Sequence, residues 1–503
     1  MSVSGKYEKY TCCTGGDKIK TQSIVECRLN DWSEKKILAV GAKAVLGGAE
    51  VLSGEIRYGG KLYFTIVAAE EDGAIIGAER GAEFSHKAPC ESAAPAQTAD
   101  VVLRVEKTEI RRDGRAVVLS AIVSAEIELF VPAEIDYLSG GEGIVCDFAP
   151  VRVLQVFTAR GEAEIEEEFD TDYVGDVLMH SECAFVNRAV SVAGGVEVSG
   201  EINLGILAKK EGENDVVSFE RLIPFRAEIP CDEAVTGAGA TAVVEVRSVN
   251  ISASCDEDKN RCRVFAEFVL EVHAKVYRGE NVVMPKDAFC LGCKSAPEKR
   301  EIESREPTCS FSASERVSGT AAMSGQIDFS CSLQAVALTG CEVAVGVGDG
   351  EVNVEGVVFA TVLYKEGGGA PASCQISLPF AFPVKSDRAR RGDTAEVSAL
   401  VCGVSARQKK EGELEADGAL KLYITLFSGE KHSVVTRIEA GDPIAENDSA
   451  FSVYIPAAGD GLWDVAKKLR KTPEEVQRCN ADLEYPLTGK ERIVIYRKKQ
   501  VKF

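Results

Sequence analysis

Residues 451–466 read Phe451-Ser452-Val453-Tyr454-Ile455-Pro456-Ala457-Ala458-Gly459-Asp460-Gly461-Leu462-Trp463-Asp464-Val465-Ala466, and the same segment closes with Leu487-Thr488-Gly489 and Ile493-Val494-Ile495-Tyr496. Val453 alternates with its neighbours at a period of two, as a half-buried strand requires. Leu462, Val465, Ala466 and Leu469 recur on one helical face, with Asp460 ahead of them as the expected N-cap. Thr472-Pro473-Glu474-Glu475 then reads as an N-cap, a proline at the first helical position and acids at the positive end of the dipole. Val476 and Cys479 are expected to face inward from that second short helix, and Ile493 to Tyr496 to pair with the first strand. The expectation is a small strand–helix–helix–strand unit over 449–497.

In their order and spacing these residues resemble a LysM domain, a βααβ module known for binding N-acetylglucosamine-containing glycans. The resemblance implies a partner- or glycan-binding site at Gly459, Asp460, Gly461, Leu462, Trp463, Asn480, Leu487 and Thr488. The chain departs from the family at Gly461, where a threonine hydroxyl is usual in the turn lining the sugar groove.

Upstream, a two-faced strand pattern recurs. From Leu119 to Val131 the odd positions are all apolar while Ser120, Ser124, Glu126 and Glu128 face the other way. The same pattern returns from Val264 to Val276, with His273 expected on the solvated polar face, and again from Leu420 to Leu426. Long strands with one polar face belong to antiparallel sheets covering a core on one side. Two further markers repeat: a strand glycine at Gly54, Gly200 and Gly356, and a phenylalanine at Phe84, Phe225 and Phe380. We read a mainly β chain: tandem antiparallel β-sandwich-like domains over 20–140, 150–280 and 306–436, followed by the small βααβ domain. A repeat this long is domain duplication rather than a solenoid. Polar or glycine-rich segments at Ser139–Gly143, Ala296–Arg300 and Glu439–Asp448 are expected as connectors.

Repeats of this kind with a terminal LysM resemble the SPOCS-domain proteins of spore-forming Firmicutes. That resemblance implies a scaffold in the mother-cell cytoplasm at the forespore surface, in the spore coat, whose LysM holds the coat's basement-layer ATPase. The alternative is a cell-wall protein binding peptidoglycan glycan.

The 503 residues carry 58 basic and 79 acidic side chains, a net of −21, which disfavours nucleic acid as a partner. Residues 449–503 hold 11 Lys+Arg and 7 Asp+Glu, so this segment is +4 and the remainder −25. Residues 1–20 contain no apolar leader, and no apolar run is long enough to span a membrane. The 17 cysteines, spread along a long chain, are expected as reduced thiols of an intracellular protein. Cys290-Leu291-Gly292-Cys293 lacks the second pair or histidine that a zinc site needs. Gly346 to Gly350 is followed by a strand, so it reads as a hairpin turn, not a phosphate loop. The acidic run Glu162–Asp170 reads as a solvated edge strand. No nucleophile motif accompanies the four histidines. We expect no enzyme, catalytic residue, metal or cofactor.

Overall fold

The computed structural model describes residues 3–30, 32–172, 175–209, 215–256, 261–322, 332–367, 369–410, 412–444 and 451–496. The chain is mainly β and its paired strands are antiparallel. Eighteen strands fall, in chain order, into three sets of six. The first set comprises β1 (Ser4–Leu29), β2 (Lys36–Leu52), β3 (Glu55–Ala69), β4 (Ile75–Pro89), β5 (Thr98–Asp113) and β6 (Ala116–Glu142). The second comprises β7 (Ile144–Asp172), β8 (Val177–Val192), β9 (Gly195–Lys209), β10 (Val216–Pro230), β11 (Gly239–Asp256) and β12 (Arg261–Cys290). The third comprises β13 (Cys293–Ala322), β14 (Ser332–Gly348), β15 (Glu351–Lys365), β16 (Pro371–Lys385), β17 (Thr394–Lys410) and β18 (Glu413–Pro443). Each set makes two three-stranded sheets. In the first these run β1-β6-β5 and β2-β3-β4, and the other two sets repeat that order.

The alternation in the long strands positions the cores. Leu119, Val123, Ile127 and Leu129 of β6 are buried, as are Val264, Phe268 and Leu270 of β12 and Leu420, Leu422 and Ile424 of β18. Each row packs against the facing sheet of its own set, giving one apolar core per set. Full burial of such side chains contributes roughly 1.5–3 kcal/mol each. Arg112–Arg115 forms the expected tight hairpin, with Asp113 opposite Ala116, and Gly348 faces Glu351 across another. The acidic run lies on β7, an edge strand.

The glycine marker belongs elsewhere in the first set. Gly54 sits in the β2–β3 turn at φ +78, whereas Gly200 and Gly356 lie within strands. Their counterpart is Gly60, the sixth residue of β3 as they are of β9 and β15. Each of the three faces a marker phenylalanine: Gly60 pairs Phe84, Gly200 pairs Phe225 and Gly356 pairs Phe380. A Cβ on Gly60, Gly200 or Gly356 would meet the carbonyl oxygen of Val45, Phe185 or Glu342 respectively. Only glycine allows that close backbone approach.

The segments expected as connectors are strand over most of their described length, and residues 445–448 of the third lie outside the described residues. Residues 139–142 continue β6, residues 296–300 lie inside β13, and β18 runs on to Pro443. Beyond these three cores, the pairs β1/β6, β7/β12 and β13/β18 extend as two-stranded ribbons whose apolar faces meet. Ile135 and Tyr137 pack there with Val151, Val153, Met284 and Val434. Leu38 and Val67 likewise meet Met179, Leu207, Ala335 and Leu363 in a separate cluster, so all three sets join there as well.

The face of β12 expected to be solvated is such a junction. His273 is 3% exposed, and its Nδ1 lies 2.7 Å from Asp100 Oδ1 of the first set. Lys275 sits 2.5 Å from Glu128, and Lys18 bridges Glu128 at 3.9 Å and Glu396 at 2.6 Å. These ion pairs run continuously through all three sets. One cysteine pair also departs from expectation. Cys255 and Cys262 face each other in register, with Cα atoms 4.0 Å apart, and form a disulfide across the β11–β12 hairpin.

Candidate functional site

The C-terminal unit is built from β19 (Phe451–Tyr454), α1 (Leu462–Leu469), α2 (Pro473–Cys479) and β20 (Ile493–Tyr496), with β19 antiparallel to β20. Val465, Ala466, Val476, Leu487 and Ile493 form its core. Thr472 caps α2 as expected, its hydroxyl accepting from the Glu475 N–H at 3.2 Å. The cap of α1 differs. Gly461 is the N-cap residue, and Asp464 accepts its N–H at 2.9 Å. Asp460 instead accepts from the Ala457 N–H at 2.9 Å and from Lys468 at 2.8 Å. Lys468 and that backbone donor hold the Asp460 carboxyl below its usual range. Cys479 is only half-buried.

Several sequence-expected site residues come together. The Gly459 N–H donates to Leu487 O at 2.7 Å, and the Leu487 N–H to Asp460 O at 2.9 Å, zipping the 459–461 turn to the 487–489 loop. Leu487 is buried beneath them, and Leu462 packs at the edge of the same core. Thr488 donates from its N–H and hydroxyl to Glu491, whose carboxyl those bonds hold at about 2.

Asn480 and Trp463 lie apart from this cluster. The Asn480 side chain accepts the Val494 N–H at 2.8 Å and donates to Val494 O at 2.8 Å, lying along the outer edge of β20. Trp463 faces the β body. Its ring centroid lies 5.1 Å from that of Phe289, and Nε1 donates to Asp287 Oδ2 at 2.9 Å. Lys467 joins the same carboxylate at 2.6 Å, and Arg470 lies over Phe289 while donating to Ser295 at 3.1 Å. Burial opposes charge on Asp287, but Lys467 and Trp463 outweigh it and hold the carboxyl below its usual range. The expectation of Trp463 as a binding anchor therefore meets an intramolecular seat at the end of β12. Sequence reasoning missed Asp287, Phe289 and Arg470. No motif marks them, because only the tertiary fold brings them together.

The outer face of the unit is open. Phe451, Val453, Ile455 and Tyr496 are 60%, 51%, 69% and 68% exposed. Charged residues in the described part of the unit balance at seven of each sign, so its excess of four cations comes from Arg497, Lys498, Lys499 and Lys502, directly after β20.

A cavity of about 1430 Å³ lies where the three sets meet. It is walled by the sheet-edge strands β2, β5, β8, β11, β14 and β17, each of which carries a register shift. Bulged edges resist strand addition. Its carboxylates include Glu182, buried against Lys43 and His180, and Glu245, whose pKa burial pushes up. Near the seat, Cys290 and Cys293 are buried, and burial raises the Cys290 thiol, which disfavours the reactive thiolate. Among the described residues no group of three or more His, Cys, Asp or Glu side chains could hold a metal ion. None of the helices among them is long and apolar enough to cross a membrane. In comparisons with known proteins, no family model, curated protein or solved structure matches this chain.

Proposed function

We propose that this protein is a non-enzymatic scaffold in which three tandem β-sandwich domains carry a LysM-type recognition unit for a protein partner. By its resemblance to SPOCS-domain proteins with a terminal LysM, the role is spore coat assembly at the forespore surface, in the mother-cell cytoplasm. The partner is the coat's basement-layer ATPase. The observation that carries this reading is the C-terminal unit itself: a strand–helix–helix–strand module seated on the β body through Trp463, with an apolar outer face left exposed. An exposed apolar row of this kind suits a protein surface better than a hydroxyl-rich sugar. Gly461, in place of the family's threonine, removes a hydroxyl from the turn that would line a glycan groove. The domain boundaries of this reading are those of the three strand sets and 451–496.

The test compares the full chain with one lacking 451–503 in sporulating cells and in vitro. The full chain is expected at the forespore surface with its coat partner, and the truncated chain dispersed with its β body folded. Binding to chitin oligomers or peptidoglycan, with no coat component retained, would replace this reading with the cell-wall glycan-binding alternative.

A further inference from the structure

The two edges of the β19–β20 sheet differ. Asn480 bonds both the N–H and the C=O of Val494, so those groups point away from β19 and the outer edge of β20 is occupied. In an antiparallel ladder, the residue opposite must then also point its N–H and C=O outward. That residue is Val453. Among the described residues no backbone partner takes its N–H or C=O. Val453 sits between Phe451 and Ile455 in a row of exposed apolar side chains. An open, apolar edge strand is a template for another strand, and proteins ordinarily blunt such edges with charge, proline or bulges. The body does so, with a bulge in each of the six edge strands facing its cavity. β19 has none: its four residues pair in unbroken register.

We propose that the free edge of β19 receives an extended segment of the partner protein as a third strand. This rests on the recognition unit being a protein binder and names how it binds. The occupant is a segment alternating apolar and acidic residues. Its backbone pairs with Val453, and its apolar side chains extend the row of Phe451 and Val453. Its acids complement the net charge of +4 that residues 449–503 carry in the sequence. Strand addition of this kind takes affinity from main-chain bonds and specificity from alternate side chains.

The experiment uses the full chain and a labelled peptide of about nine alternating glutamate and valine residues, long enough to span the strand. A peptide of the same length with two valines replaced by proline is the control. Val453→Pro deletes the outward N–H while leaving the bonds to β20, made by Ser452 and Tyr454, intact. Val453→Thr keeps the N–H. Saturable binding of the alternating peptide is expected, weakened about tenfold or more by Val453→Pro and about twofold by Val453→Thr, with the Val453 amide protected from exchange in the complex. Unchanged β20 amide signals in Val453→Pro show that the unit still folds. No saturable binding at millimolar peptide, or equal binding by Val453→Pro, overturns the proposal. A concentration-dependent dimer abolished by Val453→Pro overturns it in favour of a second copy as occupant. Recruitment that survives Val453→Pro but not removal of 451–503 sinks only the strand-addition step. Recruitment that survives both sinks the scaffold reading itself.

Discussion

Asp100 of β5 and His273 of β12 hydrogen-bond at 2.7 Å across the junction of the first two strand sets, and both side chains are nearly inaccessible. Burial opposes charge on each. On Asp100 the bond from His273, with Lys275 and Arg160 near, outweighs that and draws the carboxyl down to about 2. On His273 the same bond and charge outweigh burial and the opposing Arg160, and raise the pKa; Glu245 and Glu271 face the ring as well.

The pH dependence of stability follows from those directions. His273, raised above its unfolded value, contributes fully below about 6.5, and that contribution is lost as pH rises through its folded pKa. Asp100, lowered, contributes above about 4, and its share is lost as pH falls towards 2. The junction is therefore expected to be strongest near pH 5–6. Removing one partner of a buried pair costs about 3–5 kcal/mol. Urea unfolding of Asp100→Asn should show a larger loss at pH 5.5 than at pH 8. An equal loss at both would remove the charged histidine from the account.

Gly200→Ala is expected to destabilise by about 2–3 kcal/mol, because the new methyl meets the Phe185 carbonyl and the Phe225 ring. Gly54→Ala has open space around its Cβ and costs only the left-handed backbone strain, about 1–2 kcal/mol. Parallel thermal melts rank the two, and the reverse order would deny the close approach at Gly200.

Asn480→Ala should open the outer edge of β20, losing two backbone partners at about 1 kcal/mol each. Hydrogen exchange at Val494 is the direct reading, and it should quicken while the amides of β6 and β12 keep their protection. Slowing or no change at Val494 would contradict the edge assignment.

Asp287→Ala should unseat Trp463, which loses its Nε1 acceptor, and leave Lys467 without its partner. A hydrogen bond to a charged group contributes about 1.5–3 kcal/mol. In a Trp32→Phe background, where Trp463 is the remaining tryptophan, its emission should shift to the red. The same shift is expected in the unsubstituted seat as acid protonates Asp287, whose pKa is held low in the folded protein. Emission indifferent to both changes would place the indole elsewhere.

Much of this was legible in the residues because strands and caps are local. The period-two rows of β6, β12 and β18, the Thr472 cap and the tight turn at Gly114 depend on neighbours a few positions away. The glycine marker went astray for an instructive reason. Val51 to Ile56 matches the second set's strand in letters, but the close approach belongs to Gly60, which the pairing with Phe84 fixes. The described polar residues 139–142, 296–300 and 439–443 continue strands because their backbones pair with a neighbouring strand whatever their side chains, which sequence periodicity does not show.

By itself the sequence determined the β class of the body, the threefold recurrence of its markers, the two short C-terminal helices and the uneven charge. Each is written in periodicity or composition within a short window. Only the tertiary structure decided that His273 is buried, that Trp463 is seated on Asp287 and Phe289, and that Val453 rather than Val494 has the open edge. Those outcomes depend on which surface is brought against which. A polar face reads the same in sequence whether water or a neighbouring carboxylate covers it, and a strand edge reads the same whether or not an asparagine from another element lies along it.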